Sequence, residues 1–364
     1  MNIQLKENER VKQMLNKWHH EIRKRNIEKS RELKSEIETY IHNVNDDQNV
    51  HLHYALLKFR FQYLIDSLSI GKDSFNKIEE FGKPTDPLLS YYYHFFKAMH
   101  LTMTGEYSLA KNQYEEAEKK LQHISDELEH AEFYFKLSTF SCHNQQYVLA
   151  LKQASKAKEI FSKHRDHELN IGYCDNLYGL ACIHLKEYEL AEEHLISALD
   201  IFKKHGDDHA SLYSRHNLGF LYGSQNLSEL AVRHISEVIA KIPNNYKAIL
   251  IKACELEKLD NNNEARELFE KGLTISADLQ NKEYQHHFQI LKGIHENISG
   301  EELEPLIMAG NEYFKQENLF EYIQAYNEKL AIKFYKEENH LKASKYFYLG
   351  LEAKDVTQEK GALK

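Results

Sequence analysis

NLYGLACIHLKEYELAEEHLISAL, residues 176–199, is echoed by NLGFLYGSQNLSELAVRHISEVI, residues 217–239, and Pro243 follows the second copy. With Ala191 laid on Ala231, Gly179 falls on Gly219, Cys182 on Tyr222 and Leu195 on Ile235. Small residues at the Gly179/Gly219 and Ala191/Ala231 slots let two antiparallel helices cross closely, while the bulky slots fill the space around the crossing. One such helix pair cannot bury its apolar faces alone. Further copies are therefore expected on both sides.

These are the slots of the tetratricopeptide (TPR) repeat, whose usual period is about 34 residues. Working outward, Ala98, Tyr107, Ala110 and Ala117 fill an earlier copy, and Ser138, Tyr147, Ala150 and Ala157 fill the next. Ala110, Ala150, Ala191 and Ala231 recur every 40 or 41 residues, so these pairs are longer than usual. Ala253 and Ala265 mark a fifth pair and Ala331 and Ala343 a last one, with less regular pairing over 284–297 and 302–314. The expectation is an all-α chain in which residues 88–354 form a right-handed TPR superhelix of about seven helix pairs. Its inner wall comes from the first helix of each pair, a concave surface suited to peptides. Residues 355–364 read as a polar tail.

The first 70 residues do not follow the repeat. Val11, Leu15, Trp18 and Ile22 form one apolar helical stripe, Leu33, Ile37, Tyr40 and Val44 a second, and Val50, Tyr54, Leu57, Phe61, Leu64 and Leu68 a third. Polar breaks near Arg25 and Asn45 separate them, which predicts a three-helix bundle over 1–70. Asp46 and Asp47 are both placed to cap the third helix. Gly71, Gly82, Pro84 and Pro87 punctuate a linker over 71–87, with one short helix around residues 75–81.

Composition narrows the function. Gly at 14 and Pro at 4 among 364 residues disfavour a turn-rich sheet fold. The net charge of −9 is uneven, since residues 1–35 are +5 and the remainder −14. A basic head on an acidic body suggests two kinds of partner met at two places, against the plainer alternative of solvated helix faces. The acidic repeats favour a cationic peptide. Four scattered cysteines and no N-terminal signal-like run point to a cytoplasmic setting without disulfides. The 22 histidines show no zinc spacing, so neither a metal nor another cofactor is expected. No apolar run is long enough to span a membrane, and neither membrane nor direct nucleic-acid binding is expected.

Several phrases carry a more specific likeness: LNKW (15–18) with IRK (22–24), DDQNVHLHYALLKFRF (46–61), EHAEFYFKLS (129–138) and HNLGFLYGSQ (216–225). Together they resemble the Rap proteins of Bacillus and relatives, from Leu15 to about Leu351. Those proteins are response-regulator aspartate phosphatases controlled by short secreted Phr peptides. The resemblance implies that the bundle and linker bind a response regulator and that a glutamine opening the third helix enters its phosphorylation site. Gln48 holds that position, as the catalytic candidate. A neutral amide can orient water toward an acyl phosphate without repelling the phosphoryl oxygens. Asp47, His51 and Phe59 match regulator-contact positions or share that side of the helix. Read from its residue type alone, Gln48 is an exposed residue helping to cap a helix start.

For the peptide, the resemblance points to Asn217, which clamps the peptide backbone with one donor and one acceptor, and to Tyr213, Asn176 and His184 around it. A plainer role for Asn217 is a helix residue satisfied inside the repeats. The chain departs from the family pattern at His184, where an aspartate suits an arginine of the peptide, and at Gly223, which replaces a second asparagine. Some members of that family block the DNA-binding part of an activator instead of dephosphorylating a regulator. Three functions therefore stay open: a phosphatase, a stoichiometric inhibitor and a TPR scaffold with no switch.

Overall fold

The computed structural model describes residues 2–44 and 47–361, and all regular structure among them is helical, with eighteen α-helices and three short 3-10 turns. The chain divides into two compact units, Met1–Leu137 with Lys156–Ile171, and Ser138–Ser155 with Gly172–Lys364. No described helix is long and apolar enough to cross a membrane.

In the first unit, α1 (Asn2–Arg23), α2 (Ile27–Tyr40) and α3 (Gln48–Ile65) form the expected bundle. Val11, Leu15, Trp18 and Ile22 are buried, as are Ile37, Val50, Leu57 and Phe61. Trp18 is the centre of this core, with Tyr54 and Phe61 rings at 5.9 and 5.8 Å. Arg25 turns the chain between α1 and α2 with φ 61°, and Asn26 caps α2. Asp47 caps α3, its Oδ1 accepting from Val50 N; Asp46, the other capping candidate, lies outside the described residues.

Residues 71–87 pack against this unit. A 3-10 turn over Lys72–Phe75 leads into the four-residue α4 (Asn76–Glu79). Phe75 and Ile78 are buried, and Phe75 meets Phe59 edge to face at 5.2 Å. Pro87 then opens α5 (Pro87–Met103) behind its cap Asp86, and α6 (Tyr107–Leu121) folds back to complete the first pair. A proline costs nothing there, because the first N–H of a helix has no partner to lose.

α7 (Glu127–His143) and α8 (Tyr147–Ser162) form the second pair. The first turns of α7 face the bundle with acids. Arg23 Nη1 donates to Asp126 Oδ2 at 2.7 Å and to Glu129 Oε1 at 3.0 Å. Arg60 donates to Glu132, and Arg25 lies 3.5 Å from the same carboxylate. Asn170, in the first turn of α9 (Glu168–His184), donates to Arg23 O at 3.1 Å. Part of the basic excess of the head is thus neutralised inside its own unit.

The second unit continues with α9 and α10 (Tyr188–Lys204), α11 (Asp208–Ser224) and α12 (Ser228–Lys241), and α13 (Tyr246–Lys258) and α14 (Asn262–Asp278). α15 (Lys282–His295) with α16 (Gly300–Gln316), and α17 (Phe320–Lys336) with α18 (His340–Gly361), complete seven pairs among the described residues. The small slots behave as the repeat requires. A Cβ on Gly179 would lie 2.7 Å from Leu195 Cγ, and one on Gly219 would lie 2.5 Å from Ile235 Cγ1. α18 runs on through Gly361, past Lys354. One contact joins distant pairs of this unit: Tyr147 OH donates to Glu321 Oε2 at 2.7 Å, and Glu321 N donates to Gln145 Oε1 at 3.1 Å.

Candidate regulator and peptide sites

The start of α3 holds three of the four regulator-contact candidates. Lys12 Nζ sits 3.3 Å from Asp47 Oδ2, so the capping carboxylate is tied to α1 as well as to Val50. His51 Nε2 donates to Val44 O at 2.9 Å and braces the turn entering the helix. Gln48 is exposed and forms no side-chain hydrogen bond among the described residues. Capping is therefore done by Asp47. The Gln48 amide is left facing outward, carrying both a donor and an acceptor. Phe59 is not brought to this surface: it is buried against Phe75 and His100, and the last of these anchors to Gly71 O at 3.0 Å.

Beneath α3 lies the buried ion network, which sequence reasoning missed. Burial raises Glu129 to about 7, although Arg23 opposes the rise. Burial also works against the Glu132 charge, but Arg60, Arg25 and Lys136 hold that carboxylate at about 2. Burial takes His53, stacked on Tyr92 at 5.9 Å, down to about 4, which keeps it neutral. In EHAEFYFK, Glu129 and Glu132 are one helical turn apart and so share one face of α7, the face that is buried here.

The peptide candidates gather on the first helices of the second unit. Asn217 is buried, and its Nδ2 donates to Asn176 Oδ1 at 3.2 Å and reaches Asn176 O at 3.5 Å. Its Oδ1 accepts no hydrogen bond among the described residues. One turn earlier, Tyr213 is half-buried between the rings of Tyr173 and His209. His184 closes α9, stacked on Tyr147 at 4.2 Å and 5°, with Phe220 at 5.3 Å beyond it. Burial lowers His184 to about 4, so its ring is neutral. Lys247 is half-buried at the start of α13 with its Nζ 5.6 Å from the Tyr284 ring centroid, and the sequence did not single it out, because no motif marks it.

Known proteins share this fold. Residues 5–66 match the family described as response regulator aspartate phosphatase H, N terminal, and residues 173–241 match the tetratricopeptide repeat. The chain is 28% identical over 357 residues to response regulator aspartate phosphatase I of Bacillus subtilis (strain 168), covering 94% of this chain and 90% of that one. It is 26% identical over 359 residues to regulatory protein RapF of the same organism, covering 93% and 92%. Among solved structures, a Rap protein complexed with Competence and Sporulation Factor superposes with a TM-score of 0.79 at 22% identity, over 97% of this chain and 99% of that one. The apo form of RapI gives 0.53 at 27% identity over the same shares. The fold is thus a three-helix bundle followed in the chain by a tetratricopeptide-repeat array. The chain is similar to Rap proteins over nearly its whole length.

Proposed function

We propose that this chain is a quorum-sensing regulator that binds a bacterial response regulator through its N-terminal bundle and is switched off by a short imported signalling peptide. Gln48 enters the regulator's phosphorylation site and orients water toward the aspartyl phosphate. Asp47 and His51 hold the turn that presents it. The observation that carries this reading is the division of labour at the start of α3, where Asp47 caps the helix and Gln48 is left exposed with an unused amide. Support also comes from the relatives named as response regulator aspartate phosphatases, and from family structures solved with Competence and Sporulation Factor and with the Phr* peptide. The setting is the cytoplasm, with no direct contact to nucleic acid or membrane.

The peptide lies along the first helices of the second unit, where Asn217 pairs with its main chain through the unused Oδ1 and through Nδ2 on exchange from Asn176. A second reading, occlusion of an activator's DNA-binding part without hydrolysis, is favoured by the burial of Phe59, which leaves a smaller polar contact surface on α3. Phosphate release from a panel of purified phosphorylated response regulators separates the two. Acceleration with one regulator, lost in Gln48→Ala, supports the phosphatase. A tight complex with an unphosphorylated activator and no acceleration with any regulator establishes occlusion instead.

A further inference from the structure

The last helix pair of the second unit leaves open an apolar face that the inner pairs cover. In α10, Leu195 and Leu199 stand four and eight residues beyond the small Ala191, and both are buried in one cluster with Leu218 and Leu221 of the following pair. The same slots counted from Ala343 in α18 hold Phe347 and Leu351, which are 43% and 57% exposed. On α17, Tyr335 occupies the place that Ile183 has on α9, and Tyr335 is exposed where Ile183 is buried. A terminal repeat that faces water carries a polar outer side, and this one does not.

The outward side of α18 continues the face. Leu341, Lys345, Tyr348, Glu352 and Val356 follow at intervals of four, three, four and four residues, which makes one stripe along the helix, bordered by Leu351. Leu341 is 85% exposed, and Tyr348 is exposed as well. The slots equivalent to Leu341 hold Glu189 in α10 and Glu229 in α12, residues suited to water. Two charges interrupt the apolar stripe. Lys345 is exposed, its Nζ 3.9 Å from Glu304 Oε1, and Glu352 is exposed with the Tyr348 hydroxyl bonded to it. Tyr335 joins the start of the stripe, its ring 5.2 Å from His340.

We propose that this face is covered by the same face of a second copy of the chain, with the two α18 helices antiparallel about a two-fold axis beside Tyr348. The order of charges selects that arrangement. Reversing the helix about a point between residues 348 and 349 sets Lys345 against the partner's Glu352 and, by symmetry, Glu352 against the partner's Lys345. The same register lays Leu341 against the partner's Val356 and brings the two Tyr348 rings together at the axis. A parallel pairing in register opposes like charges instead, which disfavours it. Clustered exposed apolar side chains rimmed by charge are the mark of an association surface. A two-fold contact of this kind closes at two copies and leaves no open end. It stands apart from the regulator and peptide sites and does not depend on them.

Sedimentation velocity on the full chain over a range of concentrations tests this. A species of twice the monomer mass is expected, growing with concentration. Leu341→Lys combined with Leu351→Lys is expected to return the monomer. Both leucines are exposed, so circular dichroism at a concentration where parent and variant are monomers should give matching spectra. Lys345→Glu alone brings like charges together twice in each interface and should raise the dissociation constant of the dimer by about ten-fold or more. Lys345→Glu with Glu352→Lys should restore the parent's value, because the exchange rebuilds both pairs. A monomer at every concentration overturns the proposal and gives the face to another occupant. A dimer that survives the leucine variant lies elsewhere on the chain and overturns it too. A double exchange that fails to restore what Lys345→Glu has lost overturns the antiparallel register.

Discussion

Glu129 and Glu132 lie one turn apart on α7 with almost identical burial, yet Glu129 is raised to about 7 while Glu132 is held at about 2. The difference is in their partners. Glu132 is flanked by the guanidinium groups of Arg60 and Arg25, and Glu129 has Arg23 alone, shared with Asp126.

Opposite signs of pH dependence follow. Glu129 has a folded value above its ordinary one, so its contribution is full below about 4.5 and is lost as pH rises through about 7, a change of roughly 3 kcal/mol. Glu129→Gln should flatten the fall in stability across that window, read as the pH dependence of thermal unfolding. An unchanged slope would place the titration elsewhere.

Glu132 has the reverse sign, with stability present above about 4.5 and lost as pH falls toward about 2. Its removal is costly at neutral pH. Glu132→Gln leaves Arg60 and Arg25 buried without their counter-ion, and a loss of about 3–5 kcal/mol is expected by denaturant unfolding. Glu132→Gln combined with Arg60→Met should cost less than Glu132→Gln alone, because one unpaired charge goes with it.

At the repeat junctions, Gly219→Ala should destabilise by about 1–3 kcal/mol, because the new methyl must displace Ile235. Pairing it with Ile235→Val should recover part of that loss. An additive double mutant would show that the two sites relax independently.

For the peptide site, Asn217→Ala should weaken peptide binding by about ten-fold or more while leaving regulator binding in the absence of peptide intact. Calorimetry with the cognate peptide checks it, and equal affinities would take Asn217 out of the site.

For the regulator site, Gln48→Ala should leave the complex with the regulator nearly unchanged and slow loss of the aspartyl phosphate by about 10²-fold, the scale of a lost positioning group. The exposed Gln48 side chain carries no fold contact, so the variant's melting temperature should match the parent's.

Local pattern made much of this architecture legible. Val11, Leu15, Trp18 and Ile22 are spaced for one helix face, and all four are buried. Gly179 and Gly219 were legible for the same reason, since a missing side chain at a repeat position marks a close crossing. Arg60 and Glu132 were not, because they are 72 residues apart and no local rule couples a bundle helix to the second repeat pair. Phe59 shows the related limit: periodicity gives the face of a helix, while Phe75 arriving from 71–87 decides whether that face is covered. At the site, the family resemblance singled out Gln48 and Asn217, since residue type alone left Gln48 a residue at a helix start.

The contact of Tyr147 and Gln145 with Glu321 changes how the second unit should come apart. An array in which each repeat touches only its neighbours unravels from its ends, and a local fault stays local. Here the second pair is tied to the seventh, so neither end of the run can loosen without breaking a bond to the other. The repeats become a closed circuit, in which melting is shared among all members and a defect in α17 is felt at α8.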